Sequence, residues 1–399
     1  MLFWLKAEPR NGVNMKNKIL ILILAFMLAF VCVGCEPDTG GYTGPWWTEL
    51  GGNAQHTGVI DTADFGTPGL GWIYEVQNDA YSSSCPLVVN GYVYFGTTDG
   101  YIYCIRSDNK RQSWKFKTEA PITNTLIYKD DVIYAAGNDG YVYALNAENG
   151  KLIWFESVGD SVRKTPVIAN DMIIVGTDSG KVCALSLKNG AEQWRYLTSS
   201  YAVSTDITYY DYGVDGGIVY FGSEDIYFYA LNAKTGKFIW SFYTSATDIK
   251  TCAAYDGKIY FGAGNGVFHA MDALTGKEIW SFKVTDGLYI SGAPAVKDGK
   301  VIFGAYDWKL YCLDAETGNE IWSYNAYYWI TSAPTIVGNS VLVGGSGNRD
   351  NKFYLYCIDF DTGRERWTSQ VSGNVRVAPS VVNGCIYYTE EGGTIIKLS

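Results

Sequence analysis

The sequence predicts an all-β fold in which eight four-stranded antiparallel blades surround a central axis. Three observations predict it. Tryptophans recur at Trp72, Trp114, Trp154, Trp194, Trp240, Trp280, Trp322 and Trp367, in steps of 42, 40, 40, 46, 40, 42 and 45 residues. The stretches between them repeat one another, as in DVIYAAGNDGYVYALNAENGKLIW (131–154) and VIFGAYDWKLYCLDAETGNEIW (301–322). Each repeat is also cut by turn-forming pairs into runs of four to six residues, which leaves little room for helices. A fixed period of about 40 residues marks a repeat architecture. Four strands cannot bury both faces alone, whereas radial packing into a β-propeller covers both.

The elements follow in chain order. Lys16 and Lys18 precede an apolar run of 15 residues, Ile19 to Val33, and then Gly34-Cys35 and polar sequence. This is a signal-peptide layout, and the run is short for a membrane span. A small residue before cysteine matches a bacterial lipoprotein signal, in which Cys35 is acylated and becomes the mature N-terminus. Cys32 departs from that pattern, and ordinary secretion with cleavage nearby is the alternative. Met15 would start a signal of normal length. Two or more acyl chains would anchor the protein stably. Residues 1–34 are thus expected to be the signal, 35–70 a linker and lead-in, and 71–399 the ring.

Within each unit, strand A carries small residues and often a proline, as in Ala293-Pro294, Ala333-Pro334 and Ala378-Pro379. Turns such as Asn90-Gly91 and Asp298-Gly299 lead to strand B, since both residue types tolerate positive φ. Asp99-Gly100 and Asp139-Gly140 lead to strand C, and Thr235-Gly236 and Thr275-Gly276 to strand D with its tryptophan. The strand A slots are Pro86, Leu126, Pro166, Asp206, Cys252, Pro294, Pro334 and Pro379, which makes eight blades. The last unit lacks a strand D, and GWIYEV (71–76) is a strand D with no A to C before it. It should complete the last blade, leaving no open edges there. The eight tryptophans then read as inter-blade docking residues rather than a ligand-stacking track.

Composition narrows the function. Acidic residues outnumber basic ones 41 to 31, and no basic patch suggests nucleic acid. The 32 Tyr and 13 Trp suit pleated, half-buried surfaces. Seven cysteines remain beyond Cys32 and Cys35. Cys104, Cys312 and Cys357 share a slot with Ala144 and Ala230, which predicts small buried thiols and no disulfide framework. His56 in the lead-in and His269 on a strand C form no metal cluster or triad, and His269 aligns with Tyr143 and Tyr229 as a packing residue. The Asp-Gly turns lack the clustered oxygens that calcium needs. Gly345–Asn351 is not a phosphate loop, because no Gly-Lys-Ser/Thr follows.

One constellation remains. Five residues before the strand A slots stand Tyr81, Tyr201, Tyr289 and Trp329. Two or three residues before them stand Arg163, Lys164, Lys250 and Arg376. Together they would make an aromatic rim over a locally positive channel, a funnel for a peptide, a sugar or an anionic small molecule. The alternative is that channel walls are wet and polar for that reason alone.

The turns ALNAKTGKFIW (230–240), AMDALTGKEIW (270–280) and CLDAETGNEIW (312–322) resemble the tryptophan-docking motif of the pyrroloquinoline-quinone (PQQ) repeat family. The resemblance runs from Trp46 to the C-terminus and includes the lead-in Trp47 to Gly58. The first unit departs from it, with Asp108-Asn109-Lys110 in place of Thr-Gly, and the fourth carries an insertion, Tyr209 to Gly217. One branch of the family holds quinone-dependent dehydrogenases and the other holds BamB-like lipoproteins without cofactor. There is no adjacent Cys-Cys pair, no large insertion and no C-x-x-C-H haem motif, which places the chain with the second. The resemblance implies a membrane-anchored, extracytoplasmic and monomeric scaffold or sensor without metal or cofactor, engaging envelope or surface proteins. The alternatives are a PQQ-dependent dehydrogenase or quinone binder and a glycan-binding surface protein.

Overall fold

The computed structural model describes residues 52–53, 55–60, 66–76, 82, 84–199, 201–285, 288–347, 352–391 and 393–399. Cys35, the apolar run before it and Tyr81 lie outside them. Among the described residues there is no α-helix. Eight antiparallel sheets form an eight-bladed propeller. Blade 1 comprises Leu87–Val89, Tyr92–Gly96, Tyr101–Arg106 and Gln112–Lys117 as strands A to D. This pattern of three, five, six and six residues returns in blades 2 to 6. Strand A of each blade, or the loop entering it, abuts that of the next, so the A strands ring the channel and the D strands face outward.

The ring closes as the split tryptophan pattern predicts. Leu70–Glu75 forms strand D of blade 8, antiparallel to Thr394–Leu398, with Ile73 opposite Ile396 and Tyr74 opposite Ile395. Gly69 and Ser399 exchange a pair of backbone hydrogen bonds at 2.8 and 2.9 Å.

The core lies between blades. Leu87, Tyr94 and Cys104 of blade 1 pack with Ile133, Tyr143 and Leu145 of blade 2. Phe228 of blade 4 stacks on Phe261 of blade 5 with centroids 4.2 Å apart, and Phe268 of blade 5 on Phe303 of blade 6 at 4.1 Å. The seven cysteines from Cys85 to Cys385 are free and buried within these layers. Burial pushes the thiols of Cys104 and Cys312 up to about 12, so they stay protonated and inert.

The docking tryptophans work through a device that spacing alone does not reveal. Every C–D pairing carries a register shift beside its tryptophan, as between Ala184 and Leu185 or Ala270 and Met271. A bulge there bends and twists the outer strand and aims the indole at the next blade. Trp72, Trp114, Trp154, Trp194, Trp240, Trp280 and Trp322 each donate Nε1–H to a carbonyl in the next blade's C–D turn, at 2.8 to 3.1 Å. The Thr-Gly glycine of that turn lies flat on the ring. At Gly276, with φ +67°, a methyl group would come within 2.5 Å of Trp240. In blade 1 Lys110 takes the same place with φ 56°, and its ammonium reaches back to the Ile73 carbonyl at 2.7 Å.

The lead-in belongs to the ring rather than to a linker. Gln55 and Thr57 carbonyls accept from the Ala254 and Val296 amides of blades 5 and 6, and Ile336 N–H of blade 7 donates to Gly58. Val59–Ile60 then pairs in parallel with Ile336–Val337. The segment thus straps the free edges of three inner strands, with the His56 side chain set against Thr208 of blade 4.

Candidate functional site

The loops entering strand A of blades 3 to 8 enclose a channel cavity of about 330 Å³, floored by His56 and Gly58 of the strap. The prolines before strand A fix φ there and need no donor, so these loops approach the axis closely. Lys164, Lys250 and Arg376 line the cavity together. Arg163 does not. It stands exposed and pairs with Asp178 at 2.7 Å.

The locally positive channel is corrected by the structure. Lys250 pairs with Asp248 at 2.7 Å and Arg376 with Glu391 at 3.0 Å. Asp206 and Asp248 line the same cavity as the cations, so the site is polar and nearly charge-balanced. Asp206 is itself occupied. Its carboxylate accepts from Thr165 N–H at 2.6 Å and from Thr251 Oγ1 at 2.9 Å. It belongs to an inter-blade belt in which Cys85 N–H donates to Thr125 and Thr125 N–H to Thr165. Lys164 makes no salt bridge among the described residues.

The aromatic rim also differs from the expectation. Among the described residues no Tyr, Trp or Phe lines the cavity. Tyr201 and Tyr289 are exposed outside it. Trp329 meets Tyr306, which in turn meets Tyr289, with centroids 5.7 and 6.3 Å apart. Tyr306 and its neighbour Trp308 were missed, although aligning the B–C turns reveals them. Tyr306-Asp307-Trp308 stands where blade 2 has Asn138-Asp139-Gly140. Trp308 holds φ +69° in the slot occupied by Gly100, Gly140, Gly180 and Gly266, a conformation that costs a bulky residue about 1–3 kcal/mol.

The lining offers, among the described residues, no aromatic ring on which a flat quinone could stack. Among the described residues no three His, Cys, Asp or Glu side chains gather to hold a metal ion.

His56 is buried in the strap, and its Nδ1 lies 3.1 Å from Thr208 Oγ1. That hydroxyl spends its one hydrogen on the Cys252 carbonyl at 3.0 Å, so Nδ1 carries the imidazole hydrogen and donates it. Burial pushes the His56 pKa down from 6.5 to about 4, against the opposing pull of Asp206. The fold therefore prefers neutral imidazole. Its stabilisation is complete above pH 6.5 and is lost as pH falls toward 4, because the unfolded chain takes up the proton first. The loss totals about 3 kcal/mol at 1.36 kcal/mol per unit. Asparagine tolerates the φ of 53° at this position. The urea midpoint of wild type should thus fall further between pH 7 and 4.5 than that of His56→Asn, and parallel falls would refute this assignment.

Comparison with known proteins places this geometry. The family model described as outer membrane protein assembly factor BamB matches residues 57–211, 98–251 and 208–399. BamB from Moraxella catarrhalis superposes with a TM-score of 0.67 at 18% identity, covering 84% of this chain and 100% of that one. A quinohemoprotein alcohol dehydrogenase from Comamonas testosteroni gives 0.73 at 14% identity, covering 91% and 82%. The computationally designed Ika8 protein gives 0.69 at 19%, covering 81% and 98%. At such identities these likenesses establish the fold alone. The curated proteins contain no match to this sequence.

Proposed function

The chain belongs to the family described as outer membrane protein assembly factor BamB, and from that premise we propose that it is an extracytoplasmic scaffold that binds protein partners and catalyses no reaction. The observation that carries this reading is the cavity lining. Among the described residues it has neither an aromatic stacking face nor a metal-ligand group for a quinone and its ion. Acylation at Cys35 would hold the ring at a membrane, and the partners would be other envelope or surface proteins. The charge-balanced cavity, with Lys164 beside Asp206, suits a peptide backbone or zwitterionic group better than a polyanion. The ring closes on itself, which favours a monomer.

The test has two arms. Titration of purified protein with PQQ and calcium should give no saturable quinone absorbance and no dye reduction with alcohols or sugars. Crosslinking in native membranes should recover a component of the outer-membrane protein assembly machinery. Saturable quinone binding with turnover would overturn the proposal.

A further inference from the structure

We propose that the rim of blades 5 to 7 is a binding site for uncharged oligosaccharides, with Trp308 as its main stacking platform. The first observation is a backbone cost that packing does not offset. Trp308 holds φ +69° in a turn slot where four sister blades have glycine and blade 4 has the half-buried Ile226 at φ 70°, and unlike Ile226 it is exposed, at 53%. A strained residue whose ring stays in solvent is not held there by the core, and such strain gathers at functional sites.

The second observation is the company it keeps. Trp308 O accepts from Ala326 N–H at 2.8 Å, which brings Tyr327, 67% exposed, beside it. Tyr289, 52% exposed, meets Tyr306 at 87°, and Tyr306 meets Trp329 at 68°. Three loops thus present rings at this rim, of which Tyr289, Tyr306 and Trp329 meet at steep angles and do not form one flat patch.

The chemistry favours a sugar. The acid in the turn, Asp307, is already committed to Tyr311 Oη at 2.5 Å and Lys309 N–H at 3.2 Å. The hydroxyls of Tyr289, Tyr306 and Tyr327 have no partner among the described residues and can bond sugar hydroxyls while the rings cover C–H faces. Among the described residues of these loops one aliphatic side chain, Leu288, is exposed, too little for the apolar centre of a protein interface.

The experiment is calorimetric titration of the full-length protein with cellohexaose, chitohexaose and an unstructured aromatic-rich peptide. Wild type should bind at least one of the two sugars and prefer it to the peptide. Trp308→Gly should weaken sugar binding by roughly tenfold or more, the scale of a lost aromatic contact, with an unchanged or higher Tm because glycine suits the turn. Binding of neither sugar, preference for the peptide, undiminished binding by Trp308→Gly, or a lowered Tm in that variant would each overturn the proposal. None of these outcomes bears on protein scaffolding, which the membrane crosslinking tests separately.

Discussion

Replacing Trp240 with alanine should lower the unfolding free energy by about 4 kcal/mol, the range for deleting a large buried aromatic side chain. Trp240 is 7% exposed. Its ring lies between Tyr220 and Phe228 of its own blade, and Gly276 of the next blade covers it. Its Nε1–H and the Tyr220 hydroxyl both donate to the Ala273 carbonyl, at 3.1 and 2.9 Å. The milder Trp240→Phe keeps most of the packing and removes one hydrogen bond, at about 1 kcal/mol beyond the packing loss. Trp367→Phe should lack that increment. Strands C and D of blade 8 are not consecutive in the chain, so no C–D turn offers a carbonyl. Trp367 Nε1 is correspondingly buried without a partner among the described residues. Removing an unpaired buried donor is neutral to favourable. Urea melts of the two phenylalanine variants separate these cases, and equal destabilisation would show that the indole hydrogen bond contributes nothing.

How much of this was legible follows from what each feature depends on. Blade number, strand order and ring closure are set by the period of the tryptophans and turns, and that period is written in the residues. The C–D bulge is not, because it depends on two residues facing one across a pair of strands. The strap at Gln55–Ile60 binds through main-chain amides, which carry no sequence signature. The slot alignment sets Lys164, Lys250 and Arg376 on neighbouring loops, and Asp248 stands two residues from Lys250, but the acids that neutralise Arg376 and Arg163 are not legible. Glu391 reaches Arg376 from the B–C turn of blade 8, and Asp178 reaches Arg163 from that of blade 3. Side chains from different turns meet only once the ring is built. Trp308 was the opposite case, since its glycine slot was visible and only the alignment of those turns was needed.

Removing residues 1–76 should abolish the monomeric fold, and this is the largest effect the architecture predicts. The cut deletes Leu70–Glu75 and leaves Thr394–Leu398 as an unpaired edge. It also removes Trp72, which packs beside Tyr387 and donates to the Ser107 carbonyl at 2.8 Å. Trp72 alone is worth about 3–5 kcal/mol, and the strand adds Tyr74, which sits edge-on to Phe95 and Tyr103 of blade 1. Losses of this size consume most of the stability of an ordinary domain, about 5–15 kcal/mol, and the bared edge is a template for association. The strap is lost in the same cut, so deletion of residues 52–60 alone provides the control. That shorter deletion removes backbone bonds to blades 5, 6 and 7 but keeps Leu70–Glu75 paired with Thr394–Leu398, so the ring stays closed by strand pairing, and it should melt lower while staying monomeric. A peptide spanning residues 66–76, added in trans, should restore the truncated ring by refilling blade 8. Size-exclusion and thermal melting read all three. A truncated chain that remains monomeric and melts like wild type would mean that three strands suffice for the eighth blade and that closure by the N-terminal strand is dispensable.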